Sequence, residues 1–130
     1  MIFLICIVSG CSTLHDDRLF GTWISDKEKT LCVLEKSRDL TEKQRRWFEN
    51  NLGKLRIKYT KENVTFWYEG EPTTERLIIA AKDKDSVVLV CKDPFDEEDK
   101  LVMITFEDND IYWIYSDLGN YIEYFRKLKD

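Results

Sequence analysis

Ile111-Tyr112-Trp113-Ile114-Tyr115-Ser116 runs through Asp117-Leu118-Gly119-Asn120 into Tyr121-Ile122-Glu123-Tyr124-Phe125-Arg126-Lys127-Leu128. Both flanking runs are dense in aromatic and β-branched residues, which fit a pleated, half-buried surface. The residues between them include Asp, Gly and Asn, which tolerate turn geometry or bond their own backbone. A connection this short joins antiparallel strands, because parallel neighbours need a long crossover. The same rhythm extends back along the chain. Strand-like runs occupy Leu19–Ile24, Thr30–Leu34, Leu55–Thr60, Val64–Glu69, Glu75–Ala81, Val87–Lys92 and Leu101–Glu107. Turns at 61–63, 83–85 and 108–110 punctuate them. The pattern predicts a mainly β domain over residues 19–130, an antiparallel meander of about eight or nine strands. A sheet of that size curls into a barrel or splits into two layers.

One segment departs from the rhythm. Thr41-Glu42-Lys43-Gln44 is a capping-box sequence, with Thr41 as N-cap and Gln44 reaching back. Trp47, Phe48 and Leu52 give an apolar face, and Gly53 follows as a helix terminator. The spacing predicts one inserted helix over residues 41–52. Several strands are apolar on both faces: Ile111, Trp113 and Tyr115 share one face, and Tyr112 and Ile114 the other. Either the helix or a partner covers the outside, or Tyr and Trp tips tolerate exposure there.

The chain has 130 residues and 43% hydrophobic content, enough for one folded domain and too much for a disordered one. Its formal charge of −5 argues against a nucleic-acid binder, which needs a concentrated basic surface.

Gly21-Thr22-Trp23, at the start of the first long strand, resembles the Gly-x-Trp signature of lipocalins and related calycin barrels. The resemblance implies that Trp23 closes the barrel floor and that a basic residue of the last strand, Arg126, packs across it. An Arg guanidinium stacks well on an indole face. The inserted helix departs from the usual direct run into the second strand, although the fatty-acid-binding branch inserts helices there.

The first ten residues, Met-Ile-Phe-Leu-Ile-Cys-Ile-Val-Ser-Gly, are uncharged and almost wholly apolar. Their apolar run is too short to span a bilayer, which takes ~20 residues, and fits the h-region of a secretory signal. Val8-Ser9-Gly10-Cys11 resembles the bacterial lipobox. That resemblance implies a signal peptide over residues 1–10, cleavage before Cys11, and a diacylglyceryl group on the Cys11 sulfur. The new amino terminus would then be acylated, with palmitate as a typical chain. Several acyl chains make a stable anchor where one gives marginal binding. Such signals open with Lys or Arg, and this stretch opens Met-Ile-Phe. Ser12 matches the residue type that permits sorting to the outer membrane. Residues 11–18 then read as the lipidated Cys and a polar tether, carrying the sole His of the chain, His15.

In that oxidising compartment Cys6 leaves with the signal and Cys11 is lipidated. Cys32 and Cys91 remain, either as a disulfide or as two buried thiols that pack like small hydrophobes. No nucleophile–base set, phosphate loop or zinc motif stands out, so no catalytic residue, metal site or cofactor is expected. The acidic run Asp93-Pro94-Phe95-Asp96-Glu97-Glu98-Asp99 lacks the turn Gly of a calcium loop and reads as a solvated hairpin.

The expectation is a membrane-anchored envelope lipoprotein, held in the outer membrane and facing the periplasm. Its barrel would bind a small apolar or amphipathic ligand, without catalysis. The alternative is a protein-binding lipoprotein, an inhibitor or immunity protein that neutralises an envelope enzyme. Tyr115–Tyr121 is faintly similar to the binding loop of bacterial lysozyme inhibitors, with different spacing. The acidic balance suits a basic partner.

Overall fold

A computed structural model describes residues 14–92, 98–116 and 120–129, and the backbone of Leu4–Ile5. The two residues of β1 (Leu4–Ile5) lie along the edge of the sheet. The domain proper comprises β2 (Gly21–Ser25), α1 (Lys27–Ser37), α2 (Glu42–Asn51), β3 (Arg56–Tyr59), β4 (Asn63–Trp67) and β5 (Thr73–Arg76). It continues with β6 (Ile79–Lys82), β7 (Ser86–Lys92), β8 (Asp99–Phe106), β9 (Ile111–Ser116) and β10 (Tyr121–Lys127). All strand pairs are antiparallel, in the order β1-β6-β7-β8-β9-β10-β2-β3-β4-β5. This is the expected mainly β meander, curled into a half-barrel of lipocalin-like layout. The meander's first and last strands meet, with Trp23 opposite Lys127 and Ser25 opposite Phe125.

Two expectations need correction. The run Thr30–Leu34, read as a strand, lies inside α1, so two helices are inserted. Asp26 caps α1 by accepting a hydrogen bond from the Lys29 amide, 3.1 Å. Only Thr30 and Leu34 are buried, one helical turn apart, while Cys32 between them faces solvent. A short apolar run has no strand-specific period of its own, and here the cap and the flanking charges decide. The second correction concerns Glu75–Ala81, read as one strand. The chain bends at Leu77-Ile78 and changes partners there. The Leu77 amide donates to the Glu62 carbonyl, 2.8 Å, and the Ile78 carbonyl accepts from Val90, 3.0 Å. Above that bend β5 and β7 are not paired with each other.

The capping box of α2 is present as expected. Thr41 accepts from the Gln44 amide and the Gln44 side chain accepts from the Thr41 amide. Gly53 follows at φ +82°, and a Cβ there would come within 3.1 Å of the Lys27 Cβ. Gly21 opens β2 at φ +122°, a conformation that L side chains rarely adopt, which accounts for the Gly of Gly-x-Trp.

The inward register follows from period-2 burial. Trp23, Ile57, Tyr59, Val64, Val87, Leu89, Ile104, Tyr112 and Phe125 form the core with Leu19. On β9, Tyr112 is inside and Tyr115 is outside, 54% exposed. Helix α1 covers only the β10 flank, where the Lys29 ammonium lies 5.0 Å from the Tyr124 ring centre. Leu101 and Met103 on the outer face of β8 stay open, 70% and 49% exposed. Both explanations for the two-faced strands therefore apply in part.

Residues 14–18, expected as tether, belong to the domain. Leu14 packs on the core, and the His15 carbonyl accepts from Lys82 Nζ at 2.6 Å. Asp16 is buried and accepts from three donors of Arg18, its amide, Nε and Nη2. The Arg18 guanidinium also donates to the carbonyls of Asp83 and Lys84, and stacks 4.7 Å from the Phe106 ring centre. Polar composition reads as solvated linker, but this pair is satisfied by carbonyls brought from another hairpin. Asp16→Ala removes the acceptor set of a charge-assisted pair and is expected to cost roughly 2–3 kcal/mol in urea unfolding. Arg126→Ala, on an exposed position, leaves the unfolding midpoint near that of the parent protein.

Candidate functional site

The half-barrel is a cup. Its floor is formed by Trp23, which is fully buried and donates from Nε1 to the Leu19 carbonyl at 2.8 Å. Tyr112 stacks on Phe125 with ring centres 5.0 Å apart and meets Trp23 at 4.6 Å. The basic residue over the Trp23 ring is Lys127, with Nζ 5.1 Å from the ring centre, and not Arg126. Arg126 pairs with Ile24 and is exposed. In a strand, one residue of offset moves a side chain to the other face. Lys127 shares the face of Trp23 and Phe125, and Arg126 does not.

Above the floor lies a cavity of about 160 Å³. Leu55 and Ile57 line it beside Tyr59, Val64, Phe66, Leu89, Val102, Ile104 and Ile114. The unpaired stretch between β5 and β7 brings Glu75, Arg76, Ile78, Val90 and Cys91 to its open side. At the base of the cavity the hydroxyls of Tyr59 and Tyr112 are hydrogen-bonded to each other at 2.9 Å. Burial pushes both phenols far above their ordinary range, so they stay neutral dipoles. Burial, and then the nearby Glu75 charge, also push the Cys91 thiol up, which lowers its nucleophilicity at neutral pH. The walls therefore offer apolar contact with one neutral hydroxyl pair. The volume is close to that of an engineered cavity that holds benzene, ~150 Å³, and below the ~300 Å³ where drug-sized sites begin.

A wider hollow of about 510 Å³ lies outside the floor, against Leu14, His15, Lys61–Asn63, Arg76 and Leu77. It is larger than the cavity, but its walls are polar and open to water, and it lacks the apolar enclosure that drives binding of a small molecule. A third groove, about 330 Å³, runs between α1 and the β9–β10 hairpin along Val33, Leu34, Tyr115 and Ile122.

The remaining expected site residues do not converge. Of the two alternatives for Cys32 and Cys91 the structure has free thiols, one exposed on α1 and the other half-buried at the edge of the cavity. A helix surface and a barrel interior do not present their Cβ atoms to each other. Val8-Ser9-Gly10-Cys11 and residues 93–97 of the acidic run lie outside the described residues. Among the described residues no three His, Cys, Asp or Glu side chains are grouped to hold a metal ion. Tyr121 is not a free loop residue: it starts β10 opposite Ser116 and packs edge-on against Phe48 of α2.

Sequence reading passed over one half-buried carboxylate. Glu123 lies on the inward face of β10 and accepts from Ser25 Oγ at 2.7 Å, while Ser25 Oγ accepts from the Gly53 amide at 3.1 Å. This chain of bonds fastens the helical insert to the sheet. The signal was a Glu two residues from Tyr121 and Phe125 in a period-2 strand. Burial pushes the Glu123 carboxyl above its usual range, against hydrogen bonds from Ser25 and Tyr121 that lower it. Burial also pushes the Tyr121 phenol up, to about 12.

Comparison with family models, curated proteins and solved structures found no match. The residues and the fold therefore carry the functional argument.

The sign of the Glu123 effect follows from linkage. A carboxyl raised in the folded state holds its proton more tightly there than in the unfolded chain. Its contribution favours folding at low pH and is lost as pH rises through the raised value. Glu123→Gln, which still accepts from Ser25, is expected to raise the urea midpoint at pH 7 and leave it unchanged at pH 3. Midpoints measured across pH 3–8 for both proteins check this.

Proposed function

We propose that this chain is a lipid-anchored bacterial envelope lipoprotein of the lipocalin-like type. Its cup binds a small apolar or amphipathic molecule and performs no catalysis. The observation that carries the reading is the apolar cavity above a sealed aromatic floor, open where β5 and β7 part. The lipobox-like Val8-Ser9-Gly10-Cys11 supports the anchor, and Ser12 supports outer-membrane placement facing the periplasm. In a processed chain the signal residues Leu4–Ile5 leave, and the β6 edge they pair with loses that partner. The limited volume favours a slender apolar group, such as one end of an amphiphile, with its polar end left beside Glu75 and Arg76 on the side where β5 and β7 part.

A second reading, the inhibitor or immunity-type protein, draws on a specific observation. The outer face exposes Leu101, Met103 and Tyr115, and the groove beside α1 adjoins Tyr115. Exposed apolar groups gathered on one face mark many protein-binding surfaces.

The two readings separate on one titration. N-phenyl-1-naphthylamine is expected to gain fluorescence on binding the cup, and Cys91→Phe, which fills the rim, to weaken that binding about tenfold, ~1.4 kcal/mol. Binding that Cys91→Phe leaves intact, or no binding at all, turns the argument toward the outer face and a protein partner. The anchor is checked apart from this. Cys11→Ser is expected to move the protein from the membrane to the soluble fraction of lysed cells, and retention in the membrane refutes the lipidation.

A further inference from the structure

We infer that the floor of the cup is held against the phospholipid headgroups of the leaflet that carries the anchor, with the helix end directed away. This rests on the proposed lipidation of Cys11, and it adds an orientation which that reading leaves open.

The argument is one of chain length. Only Ser12 and Thr13 separate Cys11 from Leu14. From Leu14 onward the chain has no slack. Leu14 packs on the core, His15 is bonded to Lys82, and Asp16 and Arg18 are locked to the turn at 83–84. Three residue steps reach at most ~10 Å when fully extended. A lipidated Cys11 at the bilayer surface therefore keeps Leu14 within about that distance of it, less than the length of a strand.

The end of the cup near Leu14 is defined by the strand register. Asn63, Lys82 and Ser86 begin or end their strands there, and the turns 60–62, 83–85 and 107–110 form its face. Both inserted helices leave β2 at Ser25, the opposite end. The floor turns expose Lys61 and Lys84 among Glu62, Asp85, Glu107, Asp108 and Asp110, an acidic face in sum, with Glu107 paired to Lys29. A surface of that kind meets zwitterionic headgroups without net repulsion. The competing arrangement is a cup lying on its side, with Leu101 and Met103 against the bilayer.

The test uses the full lipidated chain with Cys32→Ser and Cys91→Ala, in vesicles of phosphatidylcholine carrying a fraction of headgroup-nitroxide lipid. A bimane label is placed in turn at Lys84→Cys on the floor, Glu71→Cys at the helix end and Met103→Cys on the outer face, all exposed positions. Nitroxide quenching at Lys84→Cys is expected to exceed that at Glu71→Cys roughly threefold, since the two ends lie ~20 Å apart along the strands. A Gly/Ser linker of ~20 residues inserted between Thr13 and Leu14 gives ~25 Å of slack and is expected to erase the difference. Equal quenching at both ends, or the strongest quenching at Met103→Cys, overturns the orientation while the anchor stands. A protein that lacks the acyl mass and does not float with the vesicles overturns the anchor, and the orientation with it.

Discussion

Trp23 stands where the two ends of the domain meet, and burying its indole sets the conditions for the rest of the structure. The ring needs a partner for its N–H, aromatic neighbours, and a chain that approaches at positive φ. Leu19 supplies the carbonyl, Tyr112 and Phe106 supply the neighbours, and Gly21 supplies the approach at φ +122°. The last strand must then arrive opposite Trp23 with Phe125 inside, which fixes the register of β10 on β2. An edge strand at either chain end would be a template for aggregation. Pairing β2 with β10 takes both of these strands off the edge, which falls instead at β5 and at β6 with β1.

The helical insert follows from that seam. With β2 committed to β10 on one side and to β3 on the other, the chain must turn back at Ser25, and α1 and α2 fill the turn. They hold to the sheet through a small set of contacts. Leu34, Phe48, Leu52 and Tyr121 form a separate buried cluster, and Thr30 Oγ1 accepts from the Tyr124 amide at 3.0 Å. Ser25 then links Gly53 to Glu123. A carboxyl that partial burial pushes above its usual range is a costly fastener at neutral pH, and it lies in the joint between the insert and the cup.

Much of this was legible from period and turn chemistry. Ile111–Ser116 was read to its last residue, and the Thr41–Gln44 box placed α2 correctly. What stayed hidden depends on tertiary partners. The bend at Leu77-Ile78 leaves the local pattern strand-like, because only the exchange of β4 for β7 breaks the strand. The choice between Arg126 and Lys127 turns on a single-residue register, and composition does not register it. The lock between Asp16 and Arg18 draws its remaining acceptors from residues 83 and 84, so a polar stretch looked like a tether. The lining of the cavity waited on the inward register. For the thiol at its rim a bridge stayed open beside a free thiol, because the run holding Cys32 reads as a strand.

The cup is filled unevenly, and that asymmetry bears on what it can hold. Trp23, Phe106, Tyr112 and Phe125 crowd the floor, where close aromatic packing leaves no room. Away from the floor the inward residues shrink to Leu89, Cys91, Val102 and Ile114, and the space they leave is the cavity. Enlarging it downward would expose the Tyr59–Tyr112 hydroxyl pair and break the stack on which the seam depends. Enlarging it upward requires only that β5 and β7 part further, where no ladder hydrogen bonds join them. A ligand larger than the present volume would therefore be accommodated at the rim and not at the floor. The floor remains the rigid part of the molecule, which is also the end to which the N-terminal segment is locked.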